Sequence, residues 1–329
     1  MRRRIMVAAA AALALAAGTA AAPAEASTAS SPTSITVNRW VSGSLRSAAE
    51  TDWYAFTLPG RAYVSVVLGD LPRNYNLALY DAAGTRLARA DHAGTRFEAV
   101  DRVLPAGTYR VRVGSTSGSS STTYSLIARS VSAPRVAALT ARLHEGTVVG
   151  ELVNASERWA FVGRASATYF AADGRRLRTF GPSDLDVWFV VPPHGKVPFN
   201  LSLLQSTVPR GTTRVSVTPE VSFVADRSRP ALTTSGVTRT KRLAKGIVFV
   251  DTTATVRNGS ARSVRTTLLD RAYDRRGVLV LVSYLEPRVL AAGASRRLTS
   301  QVGGYSPATM ATLTLTAKAY EATNVLPTP

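Results

Sequence analysis

The chain contains no cysteine, and this absence excludes several kinds of chemistry together. Its 329 residues include only 3 His and 4 Lys, whereas Arg occurs 36 times. Without Cys the protein can form no disulfide, no thiol nucleophile and no thiolate metal ligand. A hydrophobic content of 45% nevertheless fits a folded protein rather than a disordered one.

Catalytic and metal-binding signatures are also missing. The three histidines, His92, His144 and His194, are widely spaced, and Val148 occupies the position where a second ligand would follow His144 on a helix. Neither a G-x-S-x-G nucleophile motif nor a G-x-x-x-x-G-K-[ST] phosphate loop occurs. We therefore predict no catalytic residue and no cofactor, apart from one calcium candidate.

One carboxylate pair keeps an enzymatic alternative open. Asp184 and Asp186 would lie on one face of a strand, about 6.6 Å apart. This separation is near the range of glycosidase carboxylate pairs, and Trp188 would be placed to stack on a sugar ring. The competing interpretation is two solvated acids beside a core Trp.

The first 26 residues have the pattern of a secretory signal peptide. Arg2–Arg4 form a positive segment, Met6–Ala17 an apolar segment, and Ala24–Ala26 an A-x-A cleavage site. No later stretch approaches the 18 apolar residues of a membrane-spanning helix. We expect a protein that is secreted, or held at the cell envelope without a covalent anchor.

The remainder reads as β-strands. Tyr109, Val111 and Val113 alternate with Arg110 and Arg112, which is typical of a strand with one solvated face. No helical period extends beyond a few residues, so we predict an all-β protein made of three consecutive β-sandwich modules.

The module boundaries follow from composition. Gly, Ser and Thr fill residues 114–123, which predicts a loop. The predicted units are a disordered leader (27–34), a first sandwich (35–130), a first repeat (134–225), a linker (226–238), a second repeat (239–322) and a tail (323–329).

The last two modules read as tandem copies. The corresponding segments are Asn154–Ser156 and Asn258–Ser260, Tyr169–Gly174 and Ala272–Gly277, Pro193–Gly195 and Ala291–Gly293, and Arg214–Thr218 and Thr312–Thr316. The first pair is offset by 104 residues, the hairpin glycines by 103 and the later glycines by 98. A nearly constant offset is what duplication followed by loop insertions produces.

All three modules share a hairpin pattern in which an aromatic residue precedes a Gly by four positions. The pairs are Tyr80 and Gly84, Phe170 and Gly174, and Tyr273 and Gly277. We predict that each aromatic side chain fills the core and that each Gly supplies the positive φ of the turn.

The first module resembles the pre-peptidase C-terminal domain of secreted bacterial peptidases. The resemblance rests on four ordered motifs, Asp52–Pro59, Asn76–Gly84, Leu104–Val113 and Tyr124–Leu126. It implies a jelly-roll-like β-sandwich with a non-catalytic role in secretion, docking or binding.

Some members of that family bind calcium near the hairpin. Here the corresponding residues are Asp70, Asn74 and Asn76, with Arg73 between them. Calcium prefers several carboxylates, so this set is the calcium candidate.

The two repeats resemble the FxLYD-type immunoglobulin-like domain. The resemblance rests on Val149–Asn154 and on the hairpin. Ala171 stands where the family Asp would be, and Ala272 where its Leu would be. The resemblance implies an Ig-like sandwich and brings no catalytic residue.

Tryptophan and arginine supply the candidate binding residues. We expect Trp53 to be buried, whereas Trp40, Trp159 and Trp188 remain open between core packing and an exposed sugar platform. Basic residues are grouped in three places: Arg175, Arg176 and Arg178; Arg239, Lys241, Arg242 and Lys245; and Arg296 and Arg297. Of these, Trp159, Trp188, Arg175, Arg176, Arg178, Lys241, Arg242 and Lys245 form the predicted binding set.

Positive charge is concentrated in the repeats. Without residues 1–26 the first module has 11 basic and 7 acidic residues, and the repeats have 26 and 13. Such a surface attracts anionic wall polymers or acidic polysaccharides, without any motif for specific nucleic-acid recognition. The competing interpretation is a solvated surface that reflects only an arginine-rich composition.

These observations favour a secreted, non-catalytic protein that binds or adheres in the bacterial envelope or matrix. The alternative is an accessory protein that docks substrate for, or stabilises, a secreted peptidase or other hydrolase. The glycan-acting enzyme is the third hypothesis.

Overall fold

The computed structural model describes residues 27–133, 135–144, 147–201, 208–224, 230–284 and 287–323. Within these ranges the chain forms 22 β-strands and one helix of five residues, which confirms the all-β prediction. The predicted signal peptide and nearly all of the predicted tail lie outside the described residues. In the described ranges, no helix has the length and apolar character needed to cross a membrane.

The N-terminal module is a sandwich of two sheets. Its strands are β1 (Thr33–Ser34), β2 (Val41–Gly43), β3 (Thr51–Leu58), β4 (Ala62–Gly69), β5 (Asn74–Tyr80), β6 (Arg86–Ala90), β7 (Glu98–Leu104), β8 (Gly107–Ser117) and β9 (Tyr124–Ser132). One sheet has the order β1-β3-β8-β5-β6 and the other β2-β9-β4-β7. The largest apolar cluster of this module fills the space between them.

The alternation of β8 is confirmed, because Tyr109, Val111 and Val113 are all buried. The strand continues to Ser117 and pairs there with β5. The predicted loop is therefore shorter than 114–123, since pairing with a neighbouring strand outweighs the low strand preference of Gly and Ser.

The first repeat has six strands: β10 (Val136–His144), β11 (Thr147–Asn154), β12 (Trp159–Phe170), β13 (Arg176–Val191), β14 (Lys196–Leu201) and β15 (Arg214–Val224). The second repeat contains β16 (Leu232–Ala244), β17 (Ile247–Asn258), β18 (Val264–Tyr273), β19 (Leu279–Tyr284), β20 (Arg288–Leu290), β21 (Ser295–Tyr305), α1 (Pro307–Ala311) and β22 (Thr314–Thr323).

Both repeats have the same strand order. In the first, β10-β11-β14 face β15-β12-β13, and in the second, β16-β17-β21 face β22-β18-β19. Numbered within each repeat, the main strands form a 1-2-5 sheet and a 6-3-4 sheet, with β20 as an addition beside β18. This is the arrangement that a duplication predicts.

The two repeats are joined more closely than a linker would join them. Strand β13 pairs with β22 through Phe189 and Ala322, so one seven-stranded sheet runs through both repeats. One apolar cluster also contains side chains of both, including Phe189 and Tyr320. Residues 232–238, which the sequence analysis placed in the linker, form the first half of β16.

A buried asparagine organises each repeat at the end of its second strand. Asn154 Nδ2 donates to the carbonyl oxygens of Arg158 at 2.7 Å and Val191 at 3.0 Å, and Asn154 Oδ1 accepts from Ser156. In the second repeat Asn258 Nδ2 donates to the Arg262, Leu290 and Ala291 carbonyls, and Ser260 donates to Asn258 Oδ1. Both asparagines are fully buried. Each side chain therefore ties three segments of backbone together, and only an amide offers both donors and an acceptor at this point.

The three hairpins share one turn geometry, as predicted from their glycines. Gly84, Gly174 and Gly277 have φ values of +88°, +85° and +69°. In each turn the Gly N–H donates to the carbonyl three residues earlier.

The aromatic part of the hairpin prediction is wrong for two modules. Tyr80 and Phe170 are only partly buried, and the buried residue is the preceding one, Leu79 or Tyr169. A register shift occurs between these neighbours in both hairpins, so the aromatic ring is turned away from the core. Tyr273 is buried, and its ring packs on Phe97 of the N-terminal module, with the ring centroids 5.1 Å apart.

Trp53 also differs from its prediction. Strand β3 alternates so that Tyr54 and Phe56 face the core, which leaves Trp53 half-buried on the outer face. Its ring packs on Tyr80, with the ring centroids 5.2 Å apart.

Candidate functional site

The hairpin between β12 and β13 exposes three of the predicted binding residues. Arg175, Arg176 and Arg178 all carry exposed side chains. Asp173 approaches Arg175 at 3.8 Å, with both side chains about two-thirds exposed. Arg176 and Arg178 make no ion pair in the part of the chain that the structure describes.

Two aromatic rings hold arginines at this end of the sheet. Arg214 on β15 lies over the Phe170 ring, 3.8 Å from its centroid, and Arg178 lies 4.5 Å from the centroid of Phe180. Phe170 pairs with Arg176 on one side and Arg214 on the other. We call Arg175, Arg176, Arg178 and Arg214 the arginine cluster.

Arg214 was not among the predicted residues. Its strand is distant in sequence from the hairpin, and only the register of β12 with β15 brings it beside Phe170. An Arg at the start of a strand gives no such signal by itself.

The other predicted basic group occupies a separate hairpin, in the second repeat. Lys241, Arg242 and Lys245 are exposed around the turn between β16 and β17, where Lys245 has a φ of +50°. Arg242 lies over Phe249 at 4.7 Å. Leu243 beside it is 65% exposed, so this hairpin mixes positive charge with apolar surface.

Of the two predicted tryptophans, Trp159 has a described side chain and Trp188 does not. Trp159 is only 4% exposed and packs with Phe161 and Val190. Of the two alternatives left open for Trp159, its burial favours core packing over an exposed sugar platform. Its assignment as a binding residue stays a prediction. The side chains of Trp188, and of Asp184 and Asp186, lie outside the described part of the structure, although β13 includes their backbone.

The calcium candidates have separate protein partners. Asp70 Oδ2 accepts from Ser125 Oγ at 2.6 Å and from Arg276 Nε of the second repeat at 2.9 Å. Asn76 Nδ2 donates to Thr116 Oγ1 at 3.0 Å. The Asn74 amide lies beside the carbonyl oxygens of His92 and Gly94, which suit its NH2 group rather than its oxygen. Asp70 therefore serves as a contact between modules.

Two histidines pair with glutamates. His92 Nδ1 lies 2.8 Å from Oε2 of the buried Glu98, and burial raises the pKa of Glu98 despite this contact. His194 Nε2 lies 2.8 Å from Oε2 of Glu157 and lowers the pKa of that carboxyl. In the described ranges, no three His, Asp or Glu side chains are grouped as metal ligands.

A cleft of about 350 Å³ lies where the three modules meet. Its walls come from β4, β7 and β9 of the N-terminal module, β11 and β14 of the first repeat, and β18 and β22 of the second. We call it the junction cleft and define it by Asp101, Arg129, Glu151, Lys196, Arg271 and Tyr320.

This cleft explains why β4 is buried on both faces. One face contributes to the core of the N-terminal module, and the other is covered by the repeats, as Tyr63 shows by packing with Val153 and Ala155. The strand consequently reads as a continuous apolar run rather than an alternating one.

Lys196 connects the modules inside the cleft. Its ammonium lies 3.3 Å from Asp101 Oδ2 of the N-terminal module and 3.3 Å from Glu151 Oε1. Burial lowers the pKa of Lys196, but the attraction of Glu151 and Asp101 outweighs burial and leaves the pKa above its usual value. The lysine is therefore charged at neutral pH and neutralises part of the two carboxylates.

The sequence analysis singled out none of the cleft residues as binding residues. A usable signal was present, because Arg129 and Glu151 interrupt apolar runs that become buried strands. A charge inside such a run marks a contact beyond the module's own core.

Comparison with protein-family models and with curated proteins gives no match. Among solved structures, a pre-peptidase C-terminal domain of collagenase from Bacillus anthracis is 20% identical, covers 30% of this chain and 94% of its own, and has a TM-score of 0.26. An exo-chitosanase of Amycolatopsis orientalis is 14% identical over 78% of this chain, with a TM-score of 0.20, and only 21% of that enzyme is covered. A DUF4785 family protein of Legionella pneumophila is 9% identical and 87% covered in both chains, with a TM-score of 0.20. These scores are low, so function is argued from the residues of this chain alone.

Proposed function

We propose that this chain is a non-catalytic binding protein outside the bacterial cell, and that it holds anionic polymers on the arginine cluster. The observation that carries the proposal is the exposed group of four arginines, which among the described residues has one acidic partner, Asp173. Export follows from the sequence pattern of residues 1–26.

The chemistry of the cluster suits repeated anionic groups. A guanidinium presents a planar fork of donors that matches carboxylate and phosphate oxygens. Arg178 and Arg214 are already held over aromatic rings, so they lose less side-chain freedom when an anion binds. The Asp173 contact removes little of the positive charge, because exposed ion pairs are weak.

The shape of the surface favours a polymer over a small ligand. The arginines extend from a hairpin and from the neighbouring strand β15. A single small anion would engage one or two of them, whereas a chain of charges would engage all four and gain from their linkage.

The proposal includes a common origin of the repeats in one FxLYD-type immunoglobulin-like domain. Their identical main-strand order and their matching asparagines, Asn154 and Asn258, support it. In this view the N-terminal module is a pre-peptidase C-terminal-like sandwich on which the two repeats are mounted.

Retention on immobilised wall teichoic acid tests the polymer site. The wild-type protein should be retained at about 50 mM salt and released as salt rises to about 200 mM. A triple variant, Arg176→Gln, Arg178→Gln and Arg214→Gln, should elute much earlier, since each lost arginine removes roughly one displaced counterion.

The matched control removes the same charge from the N-terminal module, through Arg46→Gln, Arg86→Gln and Arg110→Gln. It should elute close to the wild type. If both triple variants elute equally early, binding reflects net charge and the arginine cluster is not the site. No retention of the wild type at low salt would also overturn the proposal.

The non-catalytic part has its own test. Wild-type protein should release no reducing ends from wall polysaccharide, and Asp186→Asn should be retained like the wild type. Release of reducing ends by the wild type that disappears in Asp186→Asn would instead establish the glycan-acting enzyme.

A further inference from the structure

A largely buried arginine, Arg129, lines the junction cleft. Arg129 on β9 is 6% exposed, and its guanidinium makes neither a hydrogen bond nor an ion pair with the described residues. The Arg129 guanidinium also lies over the Trp40 ring, 5.4 Å from its centroid.

Among the described residues, no carboxylate forms an ion pair with Arg129. Glu151, Asp274 and Asp101 act on it from a distance, yet burial is the larger effect and lowers the pKa of Arg129. Asp101 and Glu151 already hold Lys196, and Asp274 forms an ion pair with Arg142 at 3.1 Å. Arg129 therefore has no direct carboxylate partner among the described residues.

A second arginine lines the same cleft. Arg271 Nη1 donates to the Tyr320 hydroxyl at 3.0 Å, while its buried Nε has no acceptor. Both arginines line a cleft of about 350 Å³, a volume at the small end of ligand-binding pockets. A guanidinium with an N–H group that no protein acceptor takes can donate to an anion, so two arginines around one open space can form a receptor for a carboxylate.

The rest of the lining suits hydroxyl groups and a flat carbon face. Asp101 and Glu151 have oxygens that accept hydrogen bonds from hydroxyls. The rings of Tyr63 and Tyr273 are also part of the wall, and aromatic faces pack on the C–H face of a sugar ring.

We propose that the junction cleft binds a small hydroxylated carboxylate of sugar-acid size, with Arg129 and Arg271 receiving the carboxylate. The site is separate from the arginine cluster, because its residues come from all three modules and lie inside the molecule. The proposal for the junction cleft can therefore be tested, and rejected, independently of the proposal for polymer binding.

Calorimetric titration of the full chain with D-glucuronate, acetate and D-glucose tests the site. Glucuronate should bind saturably and D-glucose should not, because it lacks the carboxylate. Acetate should bind more weakly than glucuronate, since it lacks the hydroxyls. Arg129→Met should weaken the binding of glucuronate at least about tenfold, which corresponds to about 1.4 kcal/mol of binding free energy.

Two further variants keep the test decisive. Arg129→Lys retains the buried charge but loses the planar fork, so it should fold and still bind glucuronate more weakly than the wild type. Arg86→Met removes an exposed arginine elsewhere in the N-terminal module and should bind like the wild type. Circular dichroism and melting curves confirm that each variant is folded.

Absence of saturable glucuronate and acetate binding by the wild type would overturn the proposal, as would equal binding of glucose. Unchanged glucuronate affinity in a folded Arg129→Met would also overturn it. Should neither Arg129 variant fold, the comparison of glucuronate with glucose on the wild type decides.

Discussion

The two repeats use one hairpin geometry for opposite purposes. In the first repeat the turn at Gly174 extends into solvent and displays Arg175 and Arg176. In the second, the turn at Gly277 docks on the N-terminal module, where the Asp70 N–H donates to the Arg275 carbonyl at 2.7 Å.

The difference lies in the residues just before the glycine. The first hairpin has Ala172 and Asp173 there, and the second has Arg275 and Arg276. Arg276 pairs with Asp70 across the module boundary, so an arginine at this turn forms a structural contact. Arginine content alone consequently does not distinguish a binding surface from an interface.

The prediction with the largest expected effect is that Asn154 and Asn258 have the same structural role in their repeats. Asn154→Ala and Asn258→Ala should each lower the free energy of unfolding by about 3 kcal/mol or more, because each leaves several buried backbone carbonyls without donors. Urea unfolding of the two variants provides the measurement.

Ser156→Ala is the milder reference, since it removes one hydroxyl from the same group and leaves the asparagine donors in place. If either asparagine variant loses less than about 1 kcal/mol of unfolding free energy, no more than Ser156→Ala loses, the two asparagines do not have the same structural role.

The second prediction separates the two hairpins directly. Gly277→Ala and Gly174→Ala both force alanine to a positive φ, at a cost of about 1–2 kcal/mol. At Gly277 a Cβ would also lie 2.7 Å from Phe97 and 2.8 Å from Val67 of the N-terminal module, whereas nothing is within 4 Å at Gly174. We expect Gly277→Ala to lose about 3 kcal/mol in total.

Thermal melts of the two variants, with Gly84→Ala as a third hairpin, make this measurable. Gly84 has a φ of +88° and no neighbour within 4 Å, so it should behave like Gly174. Equal losses at all three positions would mean that the second hairpin does not dock in solution.

The third prediction concerns the contact between the second-repeat hairpin and the N-terminal module, and it changes a residue of the N-terminal module. A Cβ at Gly69 would collide with the backbone of Arg276, and its φ needs no glycine. Gly69→Ala should therefore cost about 2 kcal/mol through the interface alone. Faster cleavage between the modules in limited proteolysis is the second readout.

Gly60→Ala serves as the control, because no atom lies within 4 Å of a Cβ there. If Gly69→Ala is as stable and as resistant to protease as Gly60→Ala, the N-terminal module and second repeat are not packed together as described.

The sequence was informative about elements within a module. Alternation predicted the buried face of β8, and the spacing of Gly84, Gly174 and Gly277 predicted three turns, because both signals are local. The aromatic positions failed, since a register shift beside Tyr80 and Phe170 cannot be seen in residue types.

The sequence was much less informative about contacts between modules. Lys196, Asp101 and Arg271 meet although they are far apart in the chain, and no local pattern encodes that meeting. The exposed arginines at positions 175, 176 and 178 were predicted from composition, whereas Arg214 required the register of β12 with β15. Local sequence patterns thus indicated three of the four arginines of the arginine cluster, whereas for the junction cleft they offered only the charges of Arg129 and Glu151 inside apolar runs.

The smallest expected effect concerns the arginines of the two hairpins themselves. Arg276→Gln removes a partly exposed ion pair with Asp70 and should cost about 0.5–1 kcal/mol. Arg176→Gln removes an exposed side chain that forms no ion pair with the described residues, and it should change stability by less than about 0.5 kcal/mol. Polymer retention should change in the opposite sense, with Arg176→Gln eluting earlier and Arg276→Gln near the wild type. Measured together by urea unfolding and salt elution, the pair would show that one hairpin uses its arginine to hold the molecule together and the other to hold a ligand. Equal behaviour in both assays would remove that distinction.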